Sequence, residues 1–151
     1  MTPRELALLK QCGRSTPAGR ALRRHWLPVL PESRLPEPDG EPVSLRVLGE
    51  PLVLFRDSAG RIGVIDAYCP HESGSLALGL NADGGLQCML HGWKFDVEGN
   101  RVDSGAVHSG AARTKAYPVA VHQGLVWLYM GEEHGRPALP ETAGRPAAQG
   151  V

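Results

Sequence analysis

The spacing of apolar residues changes twice along this chain. At the start, Thr2 and Glu5 stand at capping-box spacing with Pro3 at the first helical position, and Leu6, Leu8 and Leu9 follow. That pattern predicts a short helix over about 3–12, ended by Gly13. Thr16-Pro17 then offers a second cap and first-turn proline ahead of Ala18, Leu22 and Trp26 at i, i+4 spacing. Pro28, Pro31, Pro36, Pro38 and Pro42 forbid helix in the next stretch, which runs extended.

From residue 43 the rhythm shortens to apolar segments divided by turn residues. Val43–Leu48, Leu52–Arg56, Ile62–Asp66, Leu86–Leu90 and Trp93–Val97 read as strands, with Ser58-Ala59-Gly60 and Glu98-Gly99-Asn100 as turns. Lys115–His122 and Leu125–Met130, joined through Gln123-Gly124, make a last hairpin whose second strand is apolar on both faces. The reading is therefore a mainly β domain with short helices in front. After Met130 the chain turns Gly-, Ala- and Pro-rich, and residues 132–151 are expected to form a flexible tail or the start of a linker.

Composition narrows the class without naming a chemistry. The 151 residues fit one domain, and no apolar run approaches the roughly 18 residues of a membrane helix. Sixteen basic and sixteen acidic residues cancel, which argues against a nucleic-acid or polybasic membrane partner. The charge is unevenly placed: residues 1–25 carry Arg4, Lys10, Arg14, Arg20, Arg23 and Arg24 against Glu5 alone. Such a start matches an organelle transit peptide in composition, yet it also reads as helix. Three cysteines, Cys12, Cys69 and Cys88, are too few for a disulfide scaffold and suit a reducing, cytoplasmic setting.

Two of those cysteines carry the chemistry. Cys69-Pro70-His71 and Cys88-Met89-Leu90-His91 each put one thiolate and one imidazole at a predicted strand end, with sixteen residues between His71 and Cys88. Two such loops facing each other make a Cys2His2 site, and two centres use that set: tetrahedral zinc, or a two-iron two-sulfur cluster with histidines replacing two thiolates. Zinc sites commonly pair like with like, whereas cysteine and histidine alternate here. With two ferric ions, two sulfides and two thiolates the oxidised cluster is neutral, so it accepts an electron more readily than a four-thiolate cluster.

Cys69-x-His71, sixteen residues, Cys88-x-x-His91-Gly92-Trp93-Lys94-Phe95-Asp96 resembles the Rieske iron–sulfur motif, in the form found in large subunits of aromatic ring-hydroxylating oxygenases. The likeness runs from about residue 16 to 131 and takes in Thr16-Pro17, Arg23-Arg24-His25-Trp26-Leu27-Pro28-Val29, Leu35-Pro36-Glu37-Pro38-Asp39-Gly40, Ala116-Tyr117-Pro118-Val119 and Gly124-Leu125-Val126-Trp127, as in the phthalate-dioxygenase branch. The resemblance implies a small antiparallel β-sandwich bearing a two-loop [2Fe-2S] subdomain. It further implies that Cys69 and Cys88 hold the inner iron and that His71 and His91 hold the outer iron that gains and loses the electron. Imidazole ligation also couples that electron to protons, so the potential is expected to vary with pH.

Respiratory-chain relatives tie the two loops with a disulfide, but Gly74 and Leu90 stand where those cysteines would be. That points to the lower-potential oxygenase or ferredoxin class. Glu72 replaces the arginine usual after the first histidine, and Asp103–Thr114 lacks the proline often found in the covering loop. His25, His108, His122 and His134 are scattered and do not compose the two-histidine, one-carboxylate iron site of the oxygenases. His108 is read as solvated, Cys12 as a plain thiol, and Trp26, Trp127 and Tyr129 as packing residues; Trp93 is either a core aromatic or a shield for the cluster.

The sequence therefore leads to a division into a helical extension (1–25), a Rieske domain (26–131) and a tail or truncated linker (132–151). The expected function is one-electron transfer within a ring-hydroxylating oxygenase system for aromatic catabolism. A reductase or ferredoxin would be the donor, a mononuclear-iron domain outside this chain the acceptor, and oligomerisation is left open. The alternatives are a free-standing Rieske ferredoxin and a non-redox structural or zinc-binding module.

Overall fold

The computed structural model describes residues 2–4, 12–70, 74–90, 92–103 and 113–139. The expected helix over 3–12 therefore falls mostly outside the described residues. The second helix, α1 (Pro17–Leu22), begins as expected: the Thr16 hydroxyl accepts from the Gly19 N–H at 3.0 Å and donates to the Gly13 carbonyl at 2.8 Å. It does not reach Trp26. Leu27 precedes Pro28 and is driven to extended backbone, so Trp26 opens a strand instead.

Among the described residues, nine strands form three antiparallel three-stranded sheets. β1 (Trp26–Pro31), β8 (Val119–His122) and β9 (Leu125–Tyr129) make the first, in the order β1-β9-β8. β2 (Val43–Val47), β3 (Glu50–Arg56) and β4 (Ile62–Asp66) make the second, and β5 (Leu80–Ala82), β6 (Gly85–Gln87) and β7 (Lys94–Phe95) the third. β1 holds two prolines that cannot donate. It is tolerated because it is an edge strand, with a register shift between Pro28 and Leu30. Leu48-Gly49, Asp83-Gly84 and Gln123-Gly124 all have positive φ at both positions, the two-residue turn that matches strand twist.

The segment expected as one strand over Lys115–His122 is divided at Pro118. Before it, Ala116 bridges Ile65 and the Tyr117 N–H donates to the Val64 carbonyl at 3.0 Å, so the chain pairs with β4. After it, β8 pairs with β9. The proline lacks a donor and its carbonyl accepts from Tyr129, which lets one segment serve two sheets.

β3 separates two cores. Leu52 and Leu54 face one, with Leu30, Val64, Val126 and Leu128; Val53 and Phe55 face the other, with Ile65, Leu76, Leu86 and Phe95. The buried Asn81 amide ties the third sheet to the second by donating to the Gly40 and Arg56 carbonyls at 2.8 and 2.9 Å. Beyond β9, Tyr129 donates to the Glu132 carbonyl and the Trp26 indole donates to that of Pro137, 2.8 Å in each case. Residues 140–151 lie outside the described set.

Glu50 joins the N-terminal segment to the domain. Its carboxylate accepts from Arg14 at 2.8 Å and from the buried Arg23 at 2.6 Å, and lies 3.1 Å from the Tyr117 hydroxyl. Tyr117 is also 3.0 Å from Asp66 Oδ1, so its single proton lies between two carboxylates; burial first, and these charges next, push its pKa up. Burial alone would raise the Glu50 carboxyl, but hydrogen bonds from Arg14 and Arg23 outweigh it and pull the value from 4.5 to about 2. Its stabilising contribution is whole above about 4.5 and is lost as pH falls toward 2. Glu50→Gln is expected to cost about 1–3 kcal/mol in denaturant unfolding at pH 7, since it strips the counter-charge from buried Arg23. The variant should also lose less stability than the parent between those two pH values; an equally steep acid loss would contradict this role for Glu50.

Candidate metal centre

Both candidate thiols sit just past a strand end and are buried, with Cys69 2% and Cys88 3% exposed. Cys69 lies three residues beyond Asp66, the end of β4, and Cys88 directly follows β6. The two loops are closed the same way. The Cys69 N–H donates to the Gly74 carbonyl at 2.7 Å and the Cys88 N–H to that of Trp93, also at 2.7 Å, each reaching five residues ahead. A Tyr68–Ser75 bridge supports the first loop. In the second, Gly92 at φ +77° donates its N–H to the Cys88 carbonyl at 3.0 Å, and its own carbonyl accepts from the Gln87 amide at 3.0 Å. This closure ends β6 at Gln87, short of the strand expected to reach Leu90.

Cys69 and Cys88 belong to one apolar cluster with Val53, Phe55, Ile65, Leu76, Leu86 and Phe95. The loops also touch. A methyl group at Gly74 would come within 2.8 Å of the Cys88 sulfur and 2.8 Å of Leu90 Cδ1, so only glycine leaves room there. No disulfide joins the three cysteines. Gly74 and Leu90, which stand where the bridging cysteines of the respiratory-chain proteins would be, lie close to each other. His71 and His91 lie outside the described residues, as do Glu72 and His108; among those described, no three or more Cys, His, Asp or Glu side chains converge.

Other residues singled out in the sequence fall elsewhere. Cys12 is half-buried, and its carbonyl accepts from Arg23 at 2.7 Å. His25 is exposed, His134 pairs with Glu132 at 3.3 Å, and the partly buried His122 offers its carbonyl to the Trp127 indole. Trp26 packs against Tyr129 with ring centroids 5.7 Å apart. The N-terminal arginines line a depression of about 860 Å³ with Lys115, Glu132 and Glu133, on elements other than the cysteine loops.

Two features near the thiols had no clear sequence signal. Arg101 lies over the Trp93 ring, 3.8 Å from its centroid, so Trp93 both packs against the thiol-bearing cluster and carries a cation. Tyr68, Leu78, Leu80, Met89 and Leu90, all in or beside the two loops, are large apolar side chains left exposed, Leu78 by 79% and Met89 by 68%.

A family model described as the Rieske [2Fe-2S] domain matches residues 25–118. The chain is 43% identical over 151 residues to the phthalate 4,5-dioxygenase oxygenase subunit of Pseudomonas putida, covering 97% of this chain and 34% of that protein. It is 44% identical over 137 residues to the 3-chlorobenzoate-3,4-dioxygenase oxygenase subunit of Comamonas testosteroni, covering 87% and 32%. A solved complex of the oxygenase and ferredoxin of carbazole 1,9a-dioxygenase aligns with a TM-score of 0.64 at 29% identity, covering 78% of this chain and 31% of that one. The chain thus spans about a third of the length of the curated relatives it matches.

Gly74→Ala is expected to lower stability by about 1–3 kcal/mol through overpacking against the Cys88 sulfur, read as a lower denaturant midpoint at unchanged slope. An unchanged midpoint would mean the two loops do not meet at Gly74.

Proposed function

The chain belongs to the Rieske [2Fe-2S] domain family, and from that premise we propose that it passes single electrons through a cluster held by Cys69, His71, Cys88 and His91. The observation that carries this reading is the pair of matched loops, each burying one thiol in the same apolar cluster and closed by a cysteine N–H bonded five residues ahead. The described half of the donor set fits such a group, since both sulfurs are withdrawn from solvent and the absent side chain at Gly74 leaves space beside Cys88. When bound, the cluster supplies one-electron acceptance and release.

The protein's own contribution is to hold two thiols away from water in one apolar cluster, and His71 and His91 would supply the two imidazole ligands. The exposed apolar rim of Tyr68, Leu78, Leu80, Met89 and Leu90 gives a partner a surface to desolvate at the loops. The donor is a reductase or ferredoxin and the acceptor a mononuclear-iron oxygenase unit, whichever chain carries it. This partner assignment draws on the solved oxygenase–ferredoxin complex and on relatives of which the matched region is about a third. Residues 26–131 form the electron-transfer unit and 1–25 an extension anchored through Glu50. Among the described residues no helix is long and apolar enough to cross a membrane, and a cytoplasmic site of action is part of the proposal.

Anaerobically purified protein is expected to contain two irons and two acid-labile sulfides per chain, with visible absorption and a paramagnetic signal on one-electron reduction. One zinc, or no iron and sulfide, would overturn the reading. Replacing either cysteine with alanine should abolish iron retention. His91→Cys should keep iron but lower the midpoint potential, because a thiolate adds negative charge where the imidazole was neutral; an unchanged potential would remove His91 from the ligand set.

A further inference from the structure

The loop after β7 brings a cation to Trp93, which closes the second cysteine loop. Asp96 Oδ1 accepts from the Glu98 and Asn100 N–H groups, both at 2.9 Å, and this turn folds the chain back so that Arg101 bridges Phe95 and Val102 donates to the Lys94 carbonyl at 2.8 Å. Arg101 is thereby laid on Trp93 at 3.8 Å from the ring centroid. Two hydrogen bonds to Asp103, one of them 3.0 Å long, fix the guanidinium plane. Trp93 is also the residue whose carbonyl holds the Cys88 N–H.

We propose that Arg101 is a positioning residue of the redox centre, its guanidinium clamped between Trp93 and Asp103 to keep a fixed positive charge beside the cysteine loops and so favour the reduced state. The proposal rests on the cluster assignment above and adds to it the group that sets the potential. Added negative charge on the centre is stabilised by a nearby cation, and the stacking keeps that cation from swinging into water, where it would be screened. The direction of coupling agrees: Asp103 first, and the Cys69 thiolate as a smaller Coulombic contribution, raise the Arg101 pKa. Asp103 has a second effect, since its carboxylate offsets part of the cation it holds. Arginine suits the position better than lysine because a planar guanidinium can stack on an indole while forking to a carboxylate.

The test is redox titration of the full chain followed by visible absorption, alongside iron and sulfide analysis of each protein. Arg101→Gln should lower the ratio of reduced to oxidised protein at a fixed poise by about threefold to tenfold, the upper figure being about 59 mV for one electron. That gap should narrow as salt rises, which a purely structural role would not produce. Asp103→Asn should move the potential the other way by exposing the full charge of Arg101, and it decides the question by itself if Arg101→Gln does not retain iron. Unaltered potentials in variants that carry iron and sulfide, or a downward shift in Asp103→Asn, would overturn the role of Arg101 and leave the cluster intact. Absence of iron and sulfide from the parent protein would instead overturn the cluster assignment, and this inference with it.

Discussion

A strand buried on both faces is the constraint from which this architecture follows. Leu52, Val53, Leu54 and Phe55 succeed one another along β3 and all are inaccessible to solvent, so the strand needs an apolar layer on each side. Each such side chain contributes about 1.5–3 kcal/mol when fully buried, and one opposing sheet can satisfy only alternate residues. The first sheet covers Leu52 and Leu54; the short third sheet covers Val53 and Phe55. A three-stranded sheet with strands of two or three residues is marginal alone. It persists because it is the second wall of a core that β3 demands, fastened by Asn81 across the seam.

That second core is where the thiols are. Cys69 and Cys88 arrive from different sheets, one past β4 and one past β6, and meet because both sheets close on the same apolar cluster. The fold thus places sulfur in a water-poor setting as a by-product of covering β3, while the loops that carry it stay at the edge. The same strand begins at Glu50, which receives Arg14 and the buried Arg23 and neighbours Tyr117, whose hydroxyl also lies beside Asp66. Three residues beyond Asp66 is Cys69. The ion-pair network and Cys69 thus both adjoin the sheet of β2, β3 and β4.

The ligand spacing was legible in the sequence, because alternating cysteine and histidine at fixed intervals is a strong, local signal. The paired β2, β3 and β4 were legible too, from apolar runs divided by turn chemistry. β1 was not recognised as a strand, since two prolines in six residues argue against one unless its edge position is known. β5 was missed although Asp83-Gly84, flanked by Leu80-Asn81-Ala82 and Gly85-Leu86-Gln87, is a hairpin signal in plain view. The strands at Lys115–His122 and Leu86–Leu90 are shorter than their apolar content suggests for one shared reason: apolar content marks where a strand can run, and long-range hydrogen bonds decide where it stops. The Arg101–Trp93 stack had no signal of its own, because it depends on the Asp96 turn returning the chain beside β7.

Burial and exposure at the two loops oppose each other in a way that suits electron exchange. An electron carrier must hold its centre where water does not reorganise strongly around changing charge, yet must bring that centre close to a partner. Here the thiols face inward, and the neighbouring Met89, Leu90, Leu78 and Tyr68 face outward, unpaired with any core. Charged groups would have kept water at that rim and made docking depend on stripping it. Apolar ones release water on contact and leave only transient, low-cost interactions to break when the partner departs. The charge proposed to act on the centre is Arg101, held over Trp93. On that proposal the charge that tunes the potential and the surface that meets a partner are carried by different residues, so either could change without forcing a change in the other.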